Sequence, residues 1–451
     1  MSILVVGGGF AGITACIELA ELSRGLGPDS AALNVTLVDC KSYFEWQPSK
    51  LRCLIEPNHA WYTCIPIQHI VTQLAHSKIV FRVEIDRVVE LDELQKVAVL
   101  GSGKRLVFDQ CILATGSQFH EPITPGAAAF AGAANAHGIA ERVAEYAGWR
   151  RRIESASHVV IVGAGFVGVE LTAEIAHAFP EKRISLVASD DRVLPRMPRR
   201  ASRLAQQWML EKKVSILFST RLEVDPLSRP ALDGQPMRLK VSGSDQVIEC
   251  DEAFWCLGGS PAIEYTTALR RNNAKILQTT NAMELILCTP EGTCTRLPHI
   301  FAVGDAAQLA SKSHPGEYMA YMAESQAKVV AMNAFSHIHS SANAGSANVS
   351  KRRTVQFPRD MPGVRRFRAS DELPLLQVVS LGPRCAIVRL DWLVFSGPLA
   401  ALVKWAIEAL SVHGYRHPWS MVRRIFYWLE LATMLVVNLL ARVDALVPFK
   451  P

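Results

Sequence analysis

"VVIVGAGFVGVELTAEI", residues 159–175, carries an apolar run into spaced glycines and then into a helical pattern, and "ILVVGGGFAGITACIELA", residues 3–20, opens the chain in the same way. Both place G-x-G-x-x-G where a strand turns into a helix. The first glycine permits the tight turn, the second lets backbone approach a pyrophosphate, and the third lets helix pack on strand. The free N–H groups and the positive dipole end of the helix start favour phosphate. Gly7, Gly9 and Gly12, with Gly8, Phe10 and Ala11 between them, are therefore assigned to one dinucleotide cradle, and Gly163, Gly165 and Gly168 to another. Asp39 ends the next apolar run, "NVTLVDC", where a carboxylate accepts hydrogen bonds from ribose hydroxyls.

Working outward, apolar runs alternate with helical patterns, as in a parallel α/β architecture. Strands are expected at Ile3–Val6, Val35–Val38, Gln110–Ala114, Val159–Val162, Ile184–Val187, Ala253–Leu257 and Ile300–Val303. At about 150 residues per domain, 451 residues suggest two or three domains. The two cradles divide them: residues 1–122 and 262–335 around the first, and an inserted 123–261 around the second.

Charged residues at 20% and hydrophobic ones at 49% indicate a folded protein. The net charge of +6 is spread along the chain, so nucleic acid is not an expected partner. The densest basic run, "KRRTVQFPRDMPGVRRFR" at residues 351–368, reads as a solvated loop, with a membrane-surface or anionic-ligand patch as the alternative. The cysteines show neither C-x-x-C nor zinc spacing, which suits a reducing compartment. Cys288 and Cys294 flank "TPEGT" and can face each other across a hairpin as two reduced thiols. At the start, Ile3–Val6 already feeds the glycines, so no signal peptide is expected there, and Ser2 excludes N-myristoylation.

The composition changes at "FSHIHSSANAGSANVS", residues 335–350, and residues 336–365 read as a linker or loop. Residues 366–451 then form an expected α+β extension: two or three strands followed by apolar helices. In the second helix, Ile425–Leu440, only Glu430 and Asn438 are polar, yet it falls short of the roughly 18–20 apolar residues a span needs. With Arg423 and Arg424 at its start, Trp419, Tyr427 and Trp428 beside them and Arg442 at its end, it reads as a helix lying in a membrane interface. Docking on the protein body or on a homodimer partner is the alternative.

"FDQCILATGS" at 108–117 and "HIFAVGDAAQ" at 299–308 resemble the paired ATG and GD signatures of FAD-dependent pyridine nucleotide oxidoreductases, and the resemblance covers about 330 residues in order. It implies a glutathione-reductase-like fold with FAD in the first cradle, and Asp305 of the GD pair at the ribityl and phosphate region. Gly304, Ala114, Thr115, Gly116 and Val88 join the flavin contacts. NADH or NADPH then docks in the second cradle and passes a hydride to the flavin. The strand "RISLVASD" ends in Ala188 and Ser189, where an NAD-specific site has a ribose carboxylate, so NADPH is expected to be accepted, with Arg192 or Arg183 as candidate 2′-phosphate partners. Cys40 and Cys53 stand thirteen positions apart rather than as the C-x4-C of the disulfide-reducing members, which argues against disulfide reduction.

"KLRC" at 50–53, "GVELTAEI" at 168–175 and "EYMAYMAESQAKVVAMN" at 317–333 are similar to segments of the apoptosis-inducing-factor-like and ferroptosis-suppressor oxidoreductases and of type II NADH dehydrogenases. That resemblance implies a flavoenzyme that transfers two electrons from NAD(P)H to a membrane quinone without pumping protons. It also implies a peripheral membrane protein facing a reducing compartment, with mitochondrion and plastid both open. Arg52 is carried over as a flavin contact, Glu170 as the carboxylate near flavin and nicotinamide, and Tyr321 and Gln326 as residues on the quinone side. Glu170 or Tyr321 can relay the protons a reduced quinone needs. The alternatives are an ordinary helix-face carboxylate and a core tyrosine, and for the whole chain a slow NAD(P)H-binding redox sensor; ferredoxin or rubredoxin reduction is a third reading.

Overall fold

The computed structural model describes residues 1–27, 30–76, 78–126, 137–223, 236–263, 265, 286–288, 293–294, 297–309, 319–344, 376–390, 393–422 and 425. The opening run forms strand β1 (Ser2–Val6), buried because a parallel sheet is covered on both faces. Helix α1 (Phe10–Ser23) follows the glycine turn, then β2 (Leu33–Asp39), the short α2 (Lys50–Cys53), α3 (Ile67–Leu74), β3 (Ile79–Ile85) and β4 (Gln110–Leu113). Between β3 and β4 a three-stranded antiparallel meander spans Val88–Asp92, Val97–Leu100 and Arg105–Val107.

Helix α4 (Ile139–Ser155) leads into a second sheet made of β5 (His158–Val162), β6 (Arg183–Val187), β7 (Ser215–Leu217) and β8 (Glu252–Trp255), with α5 (Phe166–Ala178) after its glycine turn. Its four strands are all parallel, in the order β7-β6-β5-β8. Strand β9 (Leu297–Ala302) then pairs parallel to β4, so the second sheet falls in sequence between two neighbours of the first. A two-stranded antiparallel pairing of Ser117–Gln118 with Ser260–Pro261 joins the outgoing and returning chain. Every expected strand is present. Cys288 and Cys294 lie directly opposite each other on antiparallel strands, as the hairpin reading required.

Helix α6 (Ala320–Ala344) corrects the linker reading: residues 336–344 continue a helix instead of forming a loop. Ala334 and Ile338 are buried with the α1 core residues, so apolar anchoring outweighs the small, polar composition. Residues 345–365 lie outside the described residues.

The C-terminal unit has the expected strands β10 (Leu376–Ser380), β11 (Ala386–Leu390) and β12 (Leu393–Gly397), an antiparallel meander, followed by helix α7 (Pro398–Arg416). It is seated on both cores. Tyr415 on α7 stacks on Phe44 with ring centroids 4.3 Å apart, lies edge-on to Phe10, shares a 3.2 Å hydrogen bond with Thr14 of α1 and donates to Glu324 of α6. The apolar helix expected at Ile425–Leu440 lies outside the described residues apart from Ile425. Among the described residues no helix is long and apolar enough to cross a membrane.

A buried ion cluster ties the two cores. Glu45 receives Arg142 Nε at 3.0 Å, the Tyr146 hydroxyl at 2.7 Å and Lys50 Nζ at 3.1 Å, with Arg142 and Tyr146 supplied by α4. Burial alone would raise the Glu45 carboxyl, but Lys50, Arg142 and Lys41 outweigh it and hold it well below the usual carboxylate range.

Candidate functional site

The two glycine turns are nearly superimposable in their constraints. Gly7 has φ +104° and Gly163 φ +107°, and a Cβ on either would meet the carbonyl oxygen of Ala114 or Cys256 at 2.4 Å. A Cβ on Gly12 would stand 1.8 Å from the Gly7 carbonyl oxygen, and one on Gly168 1.8 Å from that of Gly163. By contrast, nothing lies within 4 Å of a Cβ at Gly9 or Gly165. Each turn is thus closed toward its own strand and helix and open where a pyrophosphate approaches, the shape a dinucleotide requires.

Around the first turn the sequence-predicted residues converge. Asp39 accepts the Gly8 N–H at 2.6 Å and the Lys41 N–H at 2.8 Å, which fixes its carboxylate at the mouth of the cradle. Gly304 takes a positive φ of +70°, which a side chain rarely adopts, and a Cβ there would stand 3.5 Å from the Cβ atoms of Ala11 and Ala323. Its N–H donates to Gln326 Oε1 at 2.8 Å. Asp305 accepts the Ser117 hydroxyl at 2.7 Å, and burial pushes its carboxyl up against that hydrogen bond. Thr115 shares a 3.1 Å hydrogen bond with Tyr265, while Ala114 is buried and Gly116 takes a positive φ of +68°. Phe10 is buried at the start of α1, and Val88 packs behind the cradle with Val6 and Val38. Ser117 and Tyr265 were missed in the sequence; the "ATGS" tetrad contained Ser117, but nothing local linked it to Asp305.

The other sequence-predicted residues have partners within the protein. Arg52 is committed to Glu56, at 2.8 Å, and to α7, where its guanidinium lies 3.8 Å from Glu408 and 4.1 Å over the Trp405 ring. Gln326 holds the Gly304 turn on the first-cradle side, and Tyr321 packs with Met322 and Val329 on α6. Arg183 is corrected outright: it begins β6, opposite His158, at the far end of the sheet from the glycine turn. Arg192 donates to the carbonyls of Pro195 and Met197, which turns it back onto its own loop. Ala188 is buried and Ser189 exposed, with the Ser189 hydroxyl on Asp190 at 3.3 Å.

Glu170 stands on α5, in the second turn after the cradle, on the side that meets the C-terminal unit. It accepts the Ser380 N–H at 2.7 Å, and Glu174, one turn on, accepts the Ser380 hydroxyl at 2.9 Å. Burial raises the Glu170 carboxyl to about 7, helped by Glu174 and opposed by the Ser380 amide and Lys404. A carboxyl poised near neutrality gives and takes protons at working pH. Cys40 and Cys53 are both free, and burial pushes each up to about 12, so neither is a ready thiolate nucleophile.

Comparison with known proteins agrees with this geometry. The chain is 26% identical over 343 residues to ferroptosis suppressor protein 1 of Xenopus laevis, covering 73% of this chain and 79% of that one. To the demethylphylloquinone reductase NdbB of Synechocystis it is 27% identical over 321 residues, covering 68% and 72%. Among solved structures it resembles NDH2 from Plasmodium falciparum in complex with NADH, with a TM-score of 0.64 at 12% identity over 95% of this chain and 97% of that one. The sulfide:quinone oxidoreductase of Aquifex aeolicus gives 0.65 at 14% identity over 92% and 91%. Residues 1–329 match the family model described as pyridine nucleotide-disulphide oxidoreductase. With two dinucleotide cradles that fit FAD and NADH or NADPH, the chain belongs to the pyridine nucleotide-disulphide oxidoreductase family and is a flavoenzyme.

Proposed function

We propose that this protein is an NAD(P)H:quinone oxidoreductase, with FAD in the first cradle, NADH or NADPH in the second and a membrane quinone as acceptor. The observation that carries the reading is the place of Glu170 on α5, between the second cradle and the C-terminal unit, where it accepts the Ser380 N–H at 2.7 Å and burial raises its carboxyl to about 7. The printed names of demethylphylloquinone reductase and sulfide:quinone oxidoreductase support a quinone acceptor. FAD supplies the two-electron relay between nicotinamide and quinone. The balance is NAD(P)H, one proton and quinone giving NAD(P)+ and quinol: the hydride brings two electrons and one proton, and the second proton comes from solvent. Asp305 and Asp39 would hold the first dinucleotide at its ribityl and ribose hydroxyls, and Gln326 keeps the Gly304 turn in place. Glu170 carries the solvent proton toward the quinone oxygen. No step moves protons across a membrane.

The division into a flavin domain of residues 1–122 and 262–335, a nicotinamide domain of 123–261 and a C-terminal membrane-binding region of 366–451 belongs to the same proposal. Exposed Leu399, Leu402 and Met421, at 66%, 64% and 76% of their free surface, support docking on one membrane face.

The purified protein is expected to be yellow and to bleach with NADH or NADPH under anaerobic conditions, and a quinone should restore the colour. Quinone turnover should fall as pH rises through about 7, because the proton-bearing form of Glu170 is the one that donates. Glu170→Gln should lower quinone turnover by about a hundredfold and flatten that limb. A turnover and pH profile equal to the parent's would remove the proposal.

A further inference from the structure

The C-terminal unit does more at α5 than cover it. Its strand β10 ends at Ser380, whose backbone N–H reaches Glu170 at 2.7 Å and whose hydroxyl reaches Glu174 at 2.9 Å. Lys404, on α7 of the same unit, donates to that hydroxyl at 2.5 Å and stands 3.7 Å from Glu174. Lys404 and Glu174 are largely buried, at 15% and 7% side-chain exposure, so their attraction is little screened by water.

Two carboxyls one helical turn apart share a face and repel when both are ionised. Among the described residues, the donors that relieve this repulsion come from the C-terminal unit. Among the described residues, His177 stands on the same helix beside Gly382, and the charged groups of α2 are engaged elsewhere. On α2, packed against the same helix, Lys50 is spent on Glu45, and Arg52 on Glu56 and Glu408. Under the helix, His158 and Arg183 lie at the far ends of β5 and β6. Glu174 and Lys404 are the charged groups whose fields reach Glu170.

We propose that Lys404 and Ser380 are positioning residues for the quinone reaction: they bind the Glu170–Glu174 pair, aim the Glu170 carboxyl and set its proton affinity. This rests on the proton-carrying role given to Glu170 above and deepens it. The C-terminal unit thereby becomes part of the active site. Seating of α7, which also holds Glu408 against Ser49 at 2.5 Å and His59 at 2.8 Å, is a condition for a correctly tuned acid.

The test is the pH dependence of flavin re-oxidation by a short-chain quinone, measured by stopped flow on the full-length, FAD-loaded protein. Lys404→Met removes the cation that favours ionised Glu170 and should move the midpoint of the alkaline limb upward by about one pH unit. Lys404→Arg should bring it back toward the parent value, which loss of packing alone would not do. Since Lys404→Met also trims the seat of α7, Ser380→Ala is measured beside it. That variant keeps the N–H to Glu170 but frees Lys404 and Glu174 from their shared hydroxyl, and a smaller upward shift is expected. Midpoints equal to the parent's in both variants, with Glu170→Gln still flattening the profile, would overturn the positioning role and leave the Glu170 reading intact. An unaltered profile in Glu170→Gln would overturn both.

Discussion

The two cradles share a backbone and differ in what surrounds it. Gly7 and Gly163 have φ within a few degrees of each other, and Gly12 and Gly168 approach the preceding turn to the same 1.8 Å. Around the first turn, however, Asp39, Asp305, Ser117 and Gln326 form a set of hydrogen bonds within the protein. The second has a buried Ala188 where the first has Asp39, and its nearby Arg192 is turned onto its own loop. On the proposed reading these similar turns serve two ligands, and the hydrogen-bonded polar groups around the first favour retention of its cofactor.

The sharpest way to break that contrast is to close each cradle in turn. Gly12→Ala puts a Cβ into the Gly7 carbonyl, a backbone contact that no side-chain rotation relieves. The variant should lose most of its FAD, seen as a fall of more than about tenfold in the ratio of flavin to protein absorbance. Gly168→Ala meets the same obstacle in the second cradle. It should keep its flavin and yet be reduced by NADH at least about a hundredfold more slowly. Equal flavin loss in both would show that the cradles are not functionally distinct.

A smaller effect is expected at the seam between the cores. Glu45 is held ionised by Lys50 and Arg142, so its native carboxyl lies below its unfolded value. A depressed carboxyl contributes stability that is present above the unfolded pKa of about 4.3 and is lost as pH falls toward the native value. Thermal stability should therefore drop as pH is lowered below about 5. Glu45→Gln, which leaves buried cations unpaired, should cost about 3–5 kcal/mol at neutral pH and weaken that acid dependence. A melting temperature unchanged at pH 7 would show that the cluster does not join the cores.

Much of this was legible from the chain because it is written locally. Both glycine turns, the strands that feed them and the C-terminal meander follow from runs of a few residues with clear periodicity. What escaped is what long-range pairing decides. Ser380 meets Glu170 across 210 positions, and Arg142 meets Glu45 across 97, with no local pattern at either end. Edge strand β3 was not among the expected strands, although Ile79, Phe81, Val83 and Ile85 alternate with Arg82 and Glu84 as a half-buried strand does. The run after Phe335 looked like a linker because its residues are small, although Ile338 anchors it on the core. Arg52 matched a motif, and its pairing with Glu408 and Trp405 of α7 is likewise decided across the chain.

The smallest expected effect probes the one residue at which the cradles differ most plainly in sequence. Ala188 follows directly on β6 at the place where Asp39 closes β2, and each of these strands pairs in parallel with a central strand. A carboxylate at this position accepts the ribose 2′-hydroxyl of NADH and repels the 2′-phosphate of NADPH. Ala188→Asp should therefore raise the NADH-to-NADPH ratio of kcat/KM by about ten- to a hundredfold, chiefly by weakening NADPH. Because Ala188 is buried, its side chain must turn toward the open end of the strand, beside exposed Ser189 and Asp190. The double variant Ala188→Asp with Asp190→Ser separates the two carboxylates. If the preference follows Asp190 instead, the discriminating carboxylate already stands two positions beyond the strand end, and the parent protein itself should prefer NADH.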